Sequence, residues 1–500
     1  VGLNSYSGKV AIEKIEVYHY SLPEKSLPTL SGDALFAYGH IESAYRQYRH
    51  IAGDFSKSLI GKTALLSAYL CRSQSDPTPE AISDLEDTFA SFVREYGDSK
   101  EYSSLLEMKA VRLWKQRQFS EALSLLKEIF ERTPNTSIVL ELLAFEHSSL
   151  SPENRAVLAK FIPRTKDLQT LDISGFGFED LEFLKGMPLK SLSANNNPLR
   201  DLSALAGLSL ERLDISNTLV NNLSPLKGMP LRFLTASNTG ISDLTPLQGA
   251  PLQVLNVSNT SAADLEPLKG MKLVSLEMDS TDVISLDPLS GMATLANLSL
   301  SSCPVTDFHP TASLPALRSL KCASVNLETL DFIPSIPKLK SLAISNNRIR
   351  DLSPLKGLPL SELYANNTLV TTLDPLAGMP LRRLFVGGNH IPDLTPLAGM
   401  PLRSLGLGDN KIKTLMPLEG MQLLNLNCAN NPLVSLAPFI ENPPKRSFLF
   451  SGKDLPDKEL KAAVTAWQNK PDCAPFLRQA QIVLALRESA AGRAAPLDPK

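Results

Sequence analysis

Side chains that commonly build reactive or metal-binding centres are scarce in this chain, and those present are scattered. The five cysteines, Cys71, Cys303, Cys322, Cys428 and Cys473, include no closely spaced pair, so neither a zinc site nor a disulfide framework is readable from them. Free, buried thiols are the expectation. None of the six histidines, His19, His40, His50, His147, His309 and His390, stands at metal-ligand spacing from another. No Gly-x-Ser-x-Gly elbow and no kinase catalytic set occurs. A surplus of one charge is also missing: 50 basic against 52 acidic side chains leave a formal net charge of -2, which gives no electrostatic reason to expect nucleic acid. No apolar run reaches the roughly 18 to 20 residues needed to span a bilayer, and no signal-peptide pattern opens the chain. No catalytic residue, cofactor or metal is therefore expected, nor is membrane insertion by this segment.

What is present is organised by repetition. Five hundred residues exceed what one compact core holds, so several domains or a repeat array are expected. Residues 1–31 hold an amphipathic strand, Gly8 to Tyr18, followed by a Pro/Ser-rich link. A lone strand is not stable; the segment resembles the last strand of a concanavalin- or laminin-G-like jelly roll, which implies a longer protein. Residues 32–165 show helical periodicity. Within them Ala110, then Gln118-Phe119-Ser120-Glu121-Ala122-Leu123, Leu126, Ile129, Phe130 and Pro134 resemble a tetratricopeptide repeat, whose small alanines let paired helices approach. Gly39 to Tyr45 is a looser copy, and an ordinary helical bundle is the plainer alternative.

From 166 to about 440 the period is 21 or 22 residues. Leucine opens each unit at positions 168, 189, 210, 231, 252, 273, 295, 317, 339, 360, 381, 402 and 423. A unit reads Leu210-Glu211-Arg212-Leu213-Asp214-Ile215-Ser216-Asn217-Thr218, then Leu223, Pro225, Leu226 and Gly228-Met229-Pro230. This pattern is identified as a leucine-rich repeat and resembles the bacterial internalin-like type with its DLxPL step. The resemblance implies an α/β repeat fold, a solenoid with short parallel strands on the concave face. The leucines should stack inward, and a tight turn or 3₁₀ segment should lie near Gly-Met-Pro. The ninth place holds Asn197, Thr218, Thr239, Thr260, Thr281, Asn347, Thr368, Asn389, Asn410 and Asn431, short polar groups suited to bonding the buried backbone of neighbouring turns. Cys303 and Val325 break that rule in repeats seven and eight, as a loosened seam or a binding spot. After Leu436 the repeat dissolves, and residues 441–500 should supply a helical cap and a disordered tail.

Two sequence features mimic function. Gly61-Lys62-Thr63 ends like a phosphate-binding loop, but Ser56 stands where the first glycine belongs, so it is read as chance. The methionines Met187, Met229, Met271, Met292, Met379, Met400 and Met421 share one repeat position and are read as core filling.

A binding surface is the remaining function class. Places three, five and seven of each unit face outward on the concave strand, and most hold serine. Glu362, Tyr364, Arg383 and Phe385 are the exceptions on adjacent rungs, of types that dominate interface energetics. A weaker group is Arg212, Asp214, Phe233 and Thr235, for which isolated surface variation is an equal reading. Glu277 and Asp279 form an acidic spot. Sequons at Asn256, Asn297 and Asn366 would place glycans on this face if the protein were secreted by a eukaryote. The combination resembles the tail of large bacterial surface or sensor proteins, including some Ser/Thr kinases with extracytoplasmic sensing regions. It implies a monomeric scaffold binding a protein or surface macromolecule, most simply outside the bacterial cytoplasm, with a structural spacer or adhesin as the alternative.

Overall fold

The computed structural model describes residues 29–494 except 75–76, 135, 144–149, 166–167, 452–454, 469 and 471–472. The jelly-roll-like strand expected at 8–18 lies outside the described residues. Chain contacts divide the protein into two compact units, Val1–Phe145 and Glu146–Lys500; the second begins before Leu168, where the leucine period opens, and so includes the helix at Pro152–Phe161.

The first unit is helical: α1 (Leu30–Ala37), α2 (Ile41–Asp54), α3 (Leu59–Ser73), α4 (Pro79–Tyr96), α5 (Glu101–Lys115), α6 (Phe119–Arg132) and α7 (Ile138–Leu143). The tetratricopeptide-like segment is the α5–α6 hairpin. Ala110 and Ala122 are fully buried in it, and Trp114 meets Phe119 edge-on at 5.0 Å across the turn. The looser copy is α2, which pairs with α3 through buried Ala44 and Ala68. Two buried arginines tie the helices together, as buried charges must be paired: Arg72 reaches Glu42 and Asp84, each at 2.6 Å, and Arg112 reaches Glu86 at 2.6 Å. Gly61-Lys62-Thr63 opens α3, where Ser58 Oγ caps the Gly61 amide at 3.1 Å and Lys62 pairs with Glu101 at 2.8 Å.

The second unit is the solenoid. Among its described residues fourteen strands, from β1 (Thr170–Asp172) to β14 (Ser447–Phe450), form one parallel sheet in chain order. Each turn contributes one short strand, with a leucine, or Phe448 in the last strand, buried between two residues of the concave face. On the return side a 3₁₀ segment such as Ser224–Leu226 precedes the turn glycine, Gly228, at φ +76°. The polar residue two places before the segment caps it, as where Asp243 Oδ1 accepts from the Thr245 amide at 2.8 Å; this is the structural reason for the aspartate of the DLxPL step. The repeat methionines are buried beside this turn, except half-buried Met421.

The ninth-place ladder has two grades. Asn410 Oδ1 accepts from the Ile391 amide of the preceding turn at 3.0 Å, while its Nδ2 donates to Val386 and Leu407 carbonyls at 2.9 and 3.0 Å. Asn197, Asn347, Asn389 and Asn431 bridge turns in the same manner. Threonine chiefly closes its own turn, as Thr239 Oγ1 does on Ala236 O at 2.7 Å; only Thr281 and Thr368 among the described ladder threonines also meet the next turn, at Cys303 and Asn389. Cys303 is a weaker bridge, its thiol donating to Met278 O at 3.0 Å, and strand register runs unbroken through repeats seven to nine. Eighth-place residues take left-handed backbone, which asparagine tolerates, and their amides form a second, exposed ladder; Asn238 Nδ2 donates to Asn217 Oδ1 at 2.8 Å.

The solenoid ends are covered by aromatics. At the first turn Phe176 replaces the ladder asparagine and stacks with Phe178, while α8 (Pro152–Phe161) precedes the sheet. At the far end the repeat does not stop at 440. After α9 (Ala437–Ile440), strand β14 adds one more rung and places Phe448 and Phe450 beside Leu426 and Cys428 of β13 (Asn425–Cys428). Helices α10 (Asp457–Trp467) and α11 (Ala474–Ala494) follow, with Trp467 and Phe476 packed on Phe448 at 6.2 and 6.1 Å. Residues 491–494, expected in a disordered tail, continue α11; 495–500 lie outside the described residues.

Three outcomes follow from this packing. Asn410→Ala strands the buried Ile391 amide and removes one of the two side-chain donors from each of the Val386 and Leu407 carbonyls, which keep Asn389 and Asn431, so it should cost about 3 kcal/mol, against about 1 kcal/mol for Thr239→Val; hydrogen exchange at the Ile391 amide should accelerate only in the first variant. Trp467→Ala removes the centre of the terminal aromatic cluster and should cost about 3–5 kcal/mol, read as a lower thermal midpoint; an unchanged midpoint would detach the cap from the solenoid's cooperative unit. All five cysteines are buried and free, and burial pushes the Cys322 and Cys428 thiols up to about 12. Thiol reagents should therefore label the native protein slowly and the denatured protein at all five positions, and a labelled count below five after unfolding would contradict free thiols.

Candidate binding surface

Parallel, in-register strands stack equivalent side chains at one rung spacing, about 4.8 Å. In β10 (Glu362–Tyr364) and β11 (Arg383–Phe385) the register pairs Glu362 with Arg383 and Tyr364 with Phe385. The rings of Tyr364 and Phe385 lie parallel, with an interplanar angle of 2° and centroids 5.1 Å apart. Arg383 meets Glu362 at 3.4 Å, and Glu362 also accepts from Ser341 Oγ at 3.3 Å and from the Tyr364 hydroxyl at 3.5 Å. The Tyr364 hydroxyl and the Glu362 carboxylate push the Arg383 guanidinium above its ordinary value. Tyr364, Phe385 and Glu362 are half-buried and Arg383 is exposed, so the cluster is ordered by its own contacts while keeping a free outer surface.

The next rung supplies a residue that the sequence reading missed. Gly406, paired with Phe385 in β12 (Ser404–Gly406), leaves the space into which the ring leans; a Cβ there would come within 2.6 Å of Phe385 Cδ1. Its signal was available: among the fifth-place residues Gly406 alone is glycine.

The weaker group is partly assembled. In β3 (Arg212–Asp214) and β4 (Phe233–Thr235), Arg212 lies over the Phe233 ring with its Cζ 3.5 Å from the centroid, a cation–π pair. Asp214 is used locally, accepting from Asn195 Nδ2 at 2.8 Å and from the Ser216 amide at 3.0 Å. This group lies six rungs from the first, roughly 29 Å away, and the structure does not join them. Glu277 and Asp279 are likewise occupied, by Asn256 at 2.9 Å and by Ser299 at 2.7 Å. Among the described residues no group of three or more His, Cys, Asp or Glu side chains is placed to hold a metal ion, and no helix is long and apolar enough to cross a membrane.

Comparison with protein-family models gives no match, and comparison with curated proteins gives none. Solved structures do resemble the chain. An internalin, InlF, from Listeria monocytogenes is 26% identical over 57% of this chain and 87% of its own, with a TM-score of 0.51. The functional domain of InlJ from Listeria monocytogenes is 18% identical over 56% of this chain and 72% of its own, with a TM-score of 0.38. The leucine-rich-repeat domain of APL1 is 17% identical over 63% of this chain and 81% of its own, with a TM-score of 0.40. Together with the fourteen-stranded parallel sheet, the likeness to InlF makes the repeat array an internalin-like leucine-rich-repeat solenoid, a fold that serves as a protein-binding scaffold.

Proposed function

We propose that this chain is a non-catalytic recognition region of a larger bacterial protein acting outside the cytoplasm, and that it holds its partner on the concave sheet at Glu362, Tyr364, Arg383 and Phe385. The parallel Tyr364–Phe385 pair carries this reading. An ordered aromatic surface loses little side-chain entropy when a partner covers it, and aromatic and arginine groups contribute most of the energy at protein interfaces. Arg212 and Phe233 form a secondary contact in the same reading, because the cation–π pair also presents preordered surface. The small serine side chains elsewhere provide complementarity with little anchoring.

The test uses a partner captured from the source cell surface and measured in purified form. Tyr364→Ala and Phe385→Ala should each weaken binding by about 2 kcal/mol, roughly thirtyfold, with unchanged circular dichroism. Ser237→Ala, a distant concave control, should change little. Wild-type affinity in the Tyr364/Phe385 double alanine variant would favour a solenoid that acts only as a spacer or adhesin stalk.

A further inference from the structure

The near-zero net charge conceals a polarised solenoid. Residues 168–316 carry 15 acidic and 8 basic side chains, whereas residues 317–446 carry 9 acidic and 14 basic. The excess in the second half is concentrated at the second place of the repeat, where the chain enters the sheet. Arg318, Lys340, Arg382, Arg403 and Arg446 occupy that place and are all exposed. Their backbones form a hydrogen-bonded ladder from rung to rung, Lys340 to Arg318 and Arg403 to Arg382 at 2.8 Å each. None of the five forms an ion pair among the described residues. Two rungs lack a basic residue at this place, with Leu424 before Arg446 and Ser361 between Lys340 and Arg382; the second is an interruption beside which Glu362 and Tyr364 stand.

From this pattern we infer that the basic edge receives an acidic segment of another protein, laid across the strands with an apolar residue over the Tyr364–Phe385 pair and carboxylates on either side. The inference rests on the concave sheet being the recognition face. Arginine forks match carboxylates in bidentate geometry, and unpaired guanidinium groups give up no existing partner on binding. The interruption discriminates between anionic ligands. A uniformly charged polymer, such as a sulfated polysaccharide, would bring charge against Glu362, whereas a peptide can place a neutral side chain there. Lys340 and Arg382 are two rungs apart, about 10 Å, which an extended peptide covers in about three residues. The fitting sequence is therefore two acidic residues, a short apolar centre, and two more acidic residues.

The experiment measures fluorescence anisotropy of the full chain with a synthetic peptide carrying two glutamates on each side of a Trp-Gly centre. A scrambled peptide with its four glutamates contiguous, and heparin, are the comparisons. The patterned peptide should bind at least tenfold more tightly than the scrambled one, with affinity falling as salt rises. Arg382→Ser/Arg403→Ser should weaken it at least tenfold and Arg232→Ser should leave it unchanged. Equal binding of the two peptides, tighter binding of heparin, no binding of the patterned peptide, or low-salt self-association abolished by the arginine double variant would each overturn the inference. Unaltered affinity in Tyr364→Ala/Phe385→Ala, with loss in the arginine variant, would instead retain the acidic partner and overturn the aromatic-anchor reading.

Discussion

Burying the backbone of the tight turns is the constraint on which the solenoid depends. At the inner corner of each coil, amides and carbonyls leave the sheet ladder where water cannot reach them, and an unpaired group there costs about 1–3 kcal/mol. Asparagine solves this because one side chain carries an acceptor and two donors. Asn410 uses them on both its own turn and the one before, so each such residue joins adjacent coils as well as closing one. Threonine, with a single hydroxyl, does half of that work, and the run from Thr218 to Thr281 leaves the coils of repeats three to six joined chiefly by strand bonds and the leucine stack. The repeats holding Tyr364 and Phe385 lie in the other regime, where Asn389 also accepts from Thr368 Oγ1 at 2.7 Å.

That stiffness has a consequence on the outer surface. With rungs fixed in register, a side chain has only its lateral neighbours to meet, and the outcome depends on which types are adjacent. Two aromatics stack in parallel, arginine beside aromatic gives a cation–π pair, and carboxylate beside amide gives a hydrogen bond. An aromatic beside glycine leans into the open space. A rigid scaffold presents such groups without an ordering cost at the moment of binding.

The fold was legible because burial repeats: the leucine period, the ladder position and the 3₁₀ turn are demanded by every coil alike. The parts that escaped are those in which a different residue type meets the same demand. Strand β14 uses Phe448 where other rungs use Leu, and Phe450 where they use smaller apolar residues from Ala to Met, and it follows Asn425 at the 22-residue spacing of repeats six to eight, so a search for leucine passed over it. The left-handed eighth place was visible as recurrent asparagine but was overshadowed by its buried neighbour. Glu362, Tyr364, Arg383 and Phe385 could be placed on adjacent rungs from spacing alone; the 2° angle between the rings and the role of Gly406 needed coordinates, since both depend on side-chain torsions. The charge polarity could have been counted from the sequence, yet the balanced total of 50 and 52 charges suggested that nothing was there to count.

In an array whose other positions are committed to burial, turns and backbone bonding, recognition must be encoded at the few outward places, and departures from serine there are the informative ones. They differ between the two halves. In the first half the departures satisfy one another: Asp214 takes an amide from Asn195, Glu277 one from Asn256, and Asp279 two bonds from Ser299. A partner would have to break those bonds before making its own, and the exchange would gain little. In the second half a single acid, Glu362, stands among the outward basic groups, and the arginines of the edge are solvated but unpaired. Bonds made there replace only water, so in the proposed reading most of the interaction energy available to a partner lies in repeats eight to fourteen, beside the aromatic pair, with Arg212 and Phe233 the lesser contribution.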